Sequence, residues 1–213
     1  MSDVSVVVAT YRRLASLDKI LKAWLEQSAD VWLADSSSQF YTSLPVHHVQ
    51  FAPDPGNATR HAVSLLTTGD YVIKADDDVI PQPGLIADFL AHVKLGGILG
   101  LMGRTFFGSS YYKGTKTYRA REISQPLAMD MVGIVTFASR EYLAFDLRGC
   151  TSPIEDLFWH MKVFPRVPKY VIPTDKYIQL PESDDTECLF RNGIARKERE
   201  AFYGEWYKRN YAR

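Results

Sequence analysis

The chain has 213 residues, 46% of them hydrophobic and 23% charged, with 25 Lys plus Arg balanced by 25 Asp plus Glu. That length buries enough surface to fold without staples, and the zero net charge argues against a general polyanion binder, so no nucleic acid is expected as a partner. Two cysteines, Cys150 and Cys188, make no disulfide framework, and neither a signal sequence nor an apolar run near the ~18 residues of a membrane span is present, so the expected location is cytoplasmic.

Val4 to Ala9 is a short β-branched run that ends at Thr10-Tyr11-Arg12-Arg13, the pattern of a strand buried on both faces of a parallel sheet. Leu14, Leu17, Leu21, Trp24 and Leu25 then recur at helical spacing. Val31 to Ala34 reads as a second strand stopping at Asp35-Ser36-Ser37-Ser38, and Val46 to Phe51 as a third, with a turn at residues 53–57. Ala58 to Leu66 reads as a helix, and Tyr71 to Ala75 as a fourth strand that ends in Asp76-Asp77-Asp78. Strands alternating with helices over short connections make a parallel sheet with right-handed crossovers. Ligands of such sheets bind beyond the carboxyl ends of the strands, where three of these strands carry polar residues.

The second half is less regular. Leu85 to Val93 reads as a helix and Ile98 to Phe107 as a strand. Residues 108–121, rich in Gly, Ser, Tyr and Lys without a steady period, read as a mobile excursion. Met131 to Ser139 is strand-like through Gly133, Ile154 to Val163 reads as a short helix opened by Ser152-Pro153, and Ala195 to Tyr211 is a helix with basic and aromatic faces. That last helix either covers the domain with its aromatic side or rests on a membrane surface or partner.

The acidic triplet carries the strongest chemical signal. Along an extended backbone Asp76 and Asp78 share a face and Asp77 opposes them. Two like charges ~4 Å apart repel by about 4 kcal/mol at an effective dielectric near 20. A cation between the carboxylates relieves this, and Mg²⁺ or Mn²⁺ takes such hard oxygen ligands together with waters and phosphate oxygens. A solvated acidic turn beside Pro81 and Pro83 is the alternative.

Taken together, these pieces resemble the GT-A fold glycosyltransferases, family 2 in particular. Val6-Val7-Val8-Ala9-Thr10-Tyr11-Arg12 is similar to the family's opening strand and turn, and Ala34-Asp35-Ser36-Ser37 to its Asp-Asp-Gly-Ser. Gly56 to Ala62 resembles its Gly-x-x-x-Ala-Arg-Asn helix, and Gly69-Asp70-Tyr71-Val72 with Asp76-Asp77-Asp78 its Gly-Glu-Tyr-Ile and DxD motif. Val132 to Arg140 and Ile154-Glu155-Asp156-Leu157 resemble its acceptor-side strand and Glu-Asp motif. The resemblance covers about residues 4–163. It implies an α/β GT-A fold with a Rossmann-like nucleotide-binding half, a mostly parallel sheet flanked by helices, and a smaller mixed acceptor-side portion. Its boundaries would be 1–95 for the nucleotide-sugar half, 96–190 for the acceptor side and 191–213 for the C-terminal helix.

The implied activity is metal-dependent transfer of a hexose or deoxyhexose from a nucleoside-diphosphate sugar, a UDP-sugar foremost, to a hydroxyl of a glycan or glycoprotein acceptor. Thr10, Tyr11 and Arg12 would flank the base and Asp35 would accept a hydrogen bond from it. Arg60 would reach the base or a phosphate. Asp76 would hold the ribose, with Asp77 beside it, and Asp78, with Asp76, the Mn²⁺ or Mg²⁺ ion. Gly133 would line the sugar pocket. Asp156 would be the general base of an inverting reaction, with Glu155 raising the proton affinity of the pair.

Two departures stand out: Ala34 replaces the first Asp of Asp-Asp-Gly-Ser, and His61 the Asn that follows Arg60. His160, the only histidine after Asp156, is either a third metal ligand or a satisfied helix residue. His47 and His48 read as structural and His92 as a helix-surface residue. A nucleotidyltransferase would want a Gly-rich loop after the first strand, and a dinucleotide enzyme G-x-G-x-x-G; neither is present. A phosphatase using an aspartate nucleophile would want Asp-x-Asp-x-Thr, and Ile80 stands at the threonine position. The alternatives kept are a nucleotide-sugar-binding module without turnover or, despite the missing loop, a nucleotidyltransferase. The chain could also be one module of a longer protein.

Overall fold

The computed structural model describes residues 3–10, 13–37, 39–52, 56–143, 148, 150, 154–181 and 193–211. In chain order the elements are β1 (Val4–Thr10), α1 (Leu17–Leu25), β2 (Asp30–Asp35), β3 (His47–Gln50), α2 (Thr59–Ser64), β4 (Tyr71–Asp76), β5 (Val79–Pro81) and α3 (Leu85–Ala91). Then follow β6 (Ile98–Phe106), β7 (Thr115–Arg119), β8 (Leu127–Ala128), β9 (Met131–Ser139), α4 (Glu155–Leu157), β10 (Lys169–Val171), β11 (Tyr177–Gln179) and α5 (Gly193–Tyr211).

Nine strands form one sheet in the order β3-β2-β1-β4-β9-β6-β10-β8, with β7 added on β6. β1 pairs in parallel with both β2 and β4, and β2 in parallel with β3. β9 runs antiparallel between β4 and β6. The β-branched run of β1 is buried on both faces, as its composition implies. Val6 and Val8 join the cluster that holds Leu17, Ile20, Leu21 and Trp24 of α1. Val7 joins Val63 of α2 and Val72 of β4 in a second cluster. Each such side chain contributes ~1.5–3 kcal/mol on burial. Gly69 enters β4 where a Cβ would meet the Ser5 backbone nitrogen at 2.7 Å, so only glycine allows this approach.

Two segments depart from the sequence reading. Residues 108–121 are not an irregular excursion. β7 pairs antiparallel with β6 from Met102↔Arg119 to Phe106↔Thr115, and the Phe107 N–H donates to the Gly114 carbonyl at 2.6 Å, closing a hairpin. Thr-Lys-Thr-Tyr-Arg is polar on both faces of this edge strand, which erased the alternation that marks strands. The expected helix from Ile154 to Val163 is α-helical only over α4 and continues as a π-helix over Phe158–Val163. In α5 the aromatic side packs inward: Tyr203 joins Tyr111, Met131, Leu157 and Met161, with Phe202, Trp206 and Tyr207 against them. Among the described residues no helix is long and apolar enough to cross a membrane.

Candidate active site

Parallel register alone aligns the polar strand ends. Thr10 lies opposite Asp35, and Ala9 opposite Asp76, so three neighbouring strands finish level with one another. Tyr11 and Arg12 lie outside the described residues. The Thr10 hydroxyl donates to Asp77 Oδ2 at 2.7 Å, and Arg13 Nε lies 3.8 Å from Asp77 Oδ1. Asp35 is fully buried. Its Oδ1 accepts from the Ser37 amide at 2.8 Å and the Ser37 hydroxyl at 2.6 Å, and its Oδ2 faces His48 Nε2 at 3.2 Å. Burial alone would raise its pKa, but the Ser37 donors and His48 more than offset this and hold it below the usual carboxylate value. The Asp35 carboxylate is thus anchored by its own turn, with His48 of β3 as its second support.

The acidic triplet turns instead of extending: Asp76 closes β4, Asp77 and Asp78 form the turn, and Val79 opens β5. Asp77 is drawn to Thr10 and Arg13 while Arg60 holds Asp76, its Nη1 donating to Asp76 Oδ1 at 2.5 Å. The bulk of the surrounding protein raises the Asp76 pKa, Arg60 opposes this, and Asp78, Asp77 and Glu155 add repulsion, bringing it to about 7. The side chain still shows 41% of its surface, so the enclosure comes from nearby protein mass more than from atoms in direct contact. Asp77 is likewise pushed up, by burial first, to about 6. Asp76 and Asp78 offer the hard oxygen donors that Mg²⁺ and Mn²⁺ take, and their mutual repulsion is what a cation relieves. Among the described residues no group of three or more His, Cys, Asp or Glu side chains could hold a metal ion. A cation held by Asp76 and Asp78 would have to draw its other ligands from water or phosphate.

Beneath this edge lies a buried polar chain that the sequence reading did not foresee. Arg60 turns its fork to Glu155, Nε to Oε1 at 3.0 Å and Nη2 to Oε2 at 2.5 Å. His61 Nε2 also donates to Glu155 Oε1, and Lys74 Nζ donates to His61 Nδ1 at 3.2 Å. Lys74 and Asp76 are two apart on one strand and so share a face, the face toward α2. Lys74 Nζ sits 2.8 Å from the centroid of the Trp159 ring, and burial, opposed by Glu155 and joined by Arg60, holds its pKa well below the usual lysine value. Donor and acceptor order requires a neutral imidazole with its proton on Nε2. Burial and the neighbouring Lys74 hold the His61 pKa down at about 4, against the pull of Glu155. The Arg60 fork is the counter-charge shared by Glu155 and Asp76, as the burial of Glu155 requires.

The two acids of the Glu-Asp motif therefore part ways. Glu155 is 3% exposed with both oxygens engaged. Burial would raise its pKa, but Arg60 and His61 hold it well below the carboxylate range. Asp156 keeps 21% of its side chain accessible. Its Oδ1 accepts from the Leu157 amide at 2.8 Å and from Arg199 Nη2 at 2.6 Å. Its Oδ2 takes no hydrogen bond from the described residues. His160 is buried, with Nε2 donating to the Val132 carbonyl at 2.7 Å and Nδ1 sealed from solvent.

β9 passes beside the triplet. Its pairing with β4 ends at Ala75↔Val135, and its register against β6 shifts between Gly100 and Met102. Between them Ile134 takes a φ of 68°, costly for a β-branched residue and characteristic of functional sites. Beyond the bulge Gly133 resumes the ladder opposite Met102, and an added Cβ there would meet only Met102 Cε at 3.9 Å. Packing does not require glycine there.

Sequence reasoning gave no site role to Lys74, Trp159, Tyr111 or Arg199, and marked His61 only as a departure from the family's Asn. A lysine inside an otherwise apolar strand was a legible signal of a buried charge partner. Nothing local marks Arg199.

By sequence, no protein family and no curated protein matches the chain. By structure it is similar to S. aureus TarS. The 1–349 portion of TarS aligns with a TM-score of 0.63 at 15% identity, over 100% of this chain and 72% of that one. The same portion in complex with UDP-GlcNAc aligns at 0.58 and 15% identity, over 83% and 57%. A further TarS structure aligns at 0.59 and 14% identity, over 83% of this chain, and there the match spans 36% of the other chain's length. At these identities the likeness shows the fold alone: mixed α/β, with a central sheet flanked by helices that is parallel through β3-β2-β1-β4.

Proposed function

We propose that the chain is a divalent-metal-dependent glycosyltransferase of the DxD-containing, family-2-like GT-A type. It moves a hexose or deoxyhexose from a UDP-sugar to a hydroxyl of a glycan or glycoprotein, with inversion and with Asp156 as base. The observation that carries this reading is the level ending of β1, β2 and β4 in Thr10, Asp35 and Asp76, tied to the Glu155-Asp156 pair through the two-sided grip of Arg60. The resemblance of the motifs and the likeness to TarS, whose structures include a UDP-GlcNAc complex, support it further.

In this reading the strand ends hold the nucleotide, and Asp76 and Asp78 would hold Mn²⁺ or Mg²⁺. When bound, the ion neutralises charge on the departing diphosphate. Asp156 Oδ2, the oxygen left open, accepts the proton of the acceptor hydroxyl as that oxygen bonds to the anomeric carbon and the bond to the diphosphate breaks. Such a base contributes ~10²–10⁴-fold in rate. Glu155 is the poorer base because both of its oxygens are committed to Arg60 and His61; its role is to anchor the helix start that presents Asp156. Gly133, free of packing demands, leaves room for the sugar or acceptor.

The test is UDP release from UDP-GlcNAc with Mn²⁺, with UDP affinity measured in parallel. Asp156→Asn is expected to lower turnover by about 10²-fold or more while UDP binds unchanged. Full turnover in that variant would remove Asp156 as base. UDP binding without any turnover in the wild type, whatever sugar donor and acceptor are offered, would favour a nucleotide-sugar-binding module.

A further inference from the structure

α5 lies beyond the residues that carry the family resemblance, yet it reaches the proposed base. Arg199 donates from Nη2 to Asp156 Oδ1 at 2.6 Å and from Nη1 to the Tyr111 hydroxyl at 2.8 Å. The Leu157 amide donates to the same Oδ1 at 2.8 Å. Two donors thus converge on one carboxylate oxygen, and the other takes no hydrogen bond from the described residues. Arg199 is itself enclosed, 9% exposed, and its guanidinium carbon lies 5.4 Å from the centroid of the Tyr111 ring. Burial would lower its pKa, but Asp156 and Tyr111 more than offset this and keep it protonated.

Tyr111 is fixed in turn. It is buried in the hairpin, and its amide donates to Glu200 Oε2 at 3.0 Å, so consecutive residues of α5 grip the tyrosine and the base. One turn further on, the Tyr203 hydroxyl donates to the Gly108 carbonyl at 2.7 Å, and Trp206 Nε1 donates to the Met161 carbonyl at 3.1 Å. The helix is sutured to both the hairpin and the π-helix that follows Asp156. An aspartate on a three-residue helix has two free side-chain torsions, and misplacement of a reacting group by ~1 Å can cost 10²-fold in rate.

We propose that Arg199 is a positioning residue for the general base. Together with the Leu157 amide it pins Asp156 Oδ1 so that Oδ2 faces the acceptor hydroxyl, and Tyr111 holds Arg199 in that pose. The C-terminal helix is therefore part of the acceptor side of the site and not only a cover. This inference rests on the reading of Asp156 as base.

The experiment uses the full chain with Mn²⁺ and UDP-GlcNAc, following UDP release for wild type, Arg199→Gln, Arg199→Lys and Asp156→Asn. Arg199→Gln is expected to lose about 10–100-fold in kcat, with the KM for UDP-GlcNAc and the affinity for UDP within about twofold of wild type. Arg199→Lys is expected to regain several-fold, because an ammonium still reaches Oδ1 although it lacks the fork. Wild-type kcat in Arg199→Gln, alongside an inactive Asp156→Asn, would overturn the positioning role and leave the base standing. Wild-type kcat in Asp156→Asn would instead overturn the base assignment itself. Should Arg199→Gln fail to fold, Tyr111→Phe removes only the hydroxyl that steadies Arg199. It is expected to lower kcat by about 3–10-fold, and an unchanged kcat there overturns the proposal.

Discussion

The two halves of this site, the proposed donor edge and the proposed acceptor wall, are built by different means. At the donor edge, backbone pairing does the alignment: Thr10, Asp35 and Asp76 end level because β1 is hydrogen-bonded in parallel to both β2 and β4. At the acceptor wall, Asp156 rides on a three-residue helix that runs into a π-helix, and side chains from α5 and the hairpin hold it in place. Between the two lies the buried chain from Lys74 through His61, Glu155 and Arg60 to Asp76. A register-built edge tolerates side-chain changes that leave the sheet intact. A side-chain-built wall fails one contact at a time.

Changes in the linking chain should break both halves at once, with the largest effect. Glu155→Ala strands Arg60 and His61 in a buried setting, and removal of one partner of a buried ion pair typically costs about 3–5 kcal/mol. Denaturant unfolding should register that loss and melting should drop by about 10 °C, whereas Asp156→Asn, one residue on, should melt within a few degrees of wild type. Equal melting temperatures for the two variants would refute the division between them.

The pH dependence sharpens the same contrast. His61 is held neutral down to about 4 in the fold, from 6.5 in an unfolded chain. Between those values the unfolded state binds the extra proton, so the stability His61 contributes is present above pH 6.5 and is lost as pH falls towards 4, by about 3 kcal/mol. Asp76 and Asp77, raised to about 7 and 6, act with the opposite sign, so the informative quantity is a difference. The stability deficit of His61→Gln relative to wild type should shrink as pH is lowered through that window. A deficit that stays constant from pH 7 to 4 would contradict a neutral, proton-excluding His61.

The smallest effect belongs to the suture of α5 to the hairpin. Tyr203→Phe removes one hydroxyl donor to the Gly108 carbonyl and should cost about 1 kcal/mol in chemical denaturation. UDP affinity should not change, because the donor edge does not depend on that contact.

This division also explains what could be read in the sequence. Strands buried on both faces write unbroken apolar runs, so β1, β2 and β4 and their polar endings stood out from Val4 to Asp78. The edge strand β7 has no apolar face, and Thr115 to Arg119 carried no periodicity to find. The sequence reading opened the helix at α4 with Ser152-Pro153, which lie outside the described residues, and the change to π-helix over Phe158–Val163 has no residue signature in Phe-Trp-His-Met-Lys-Val. Arg60 and Glu155 were both singled out, yet their pairing joins residues 95 apart in sequence, a distance at which only the folded chain can introduce them. His160 looked able to turn towards the acids at helical spacing; in the fold its Nε2 is committed to the Val132 carbonyl.

The most direct measurement is calorimetric titration of the wild-type chain and of Asp78→Ala with UDP, each in Mn²⁺ and in chelator. A donor edge built as described should bind UDP in Mn²⁺, lose that binding in chelator, and lose it in a folded Asp78→Ala variant. A folded Asp78→Ala variant that binds UDP as tightly as wild type in Mn²⁺, or a wild-type chain that binds no nucleoside diphosphate at all, would contradict it.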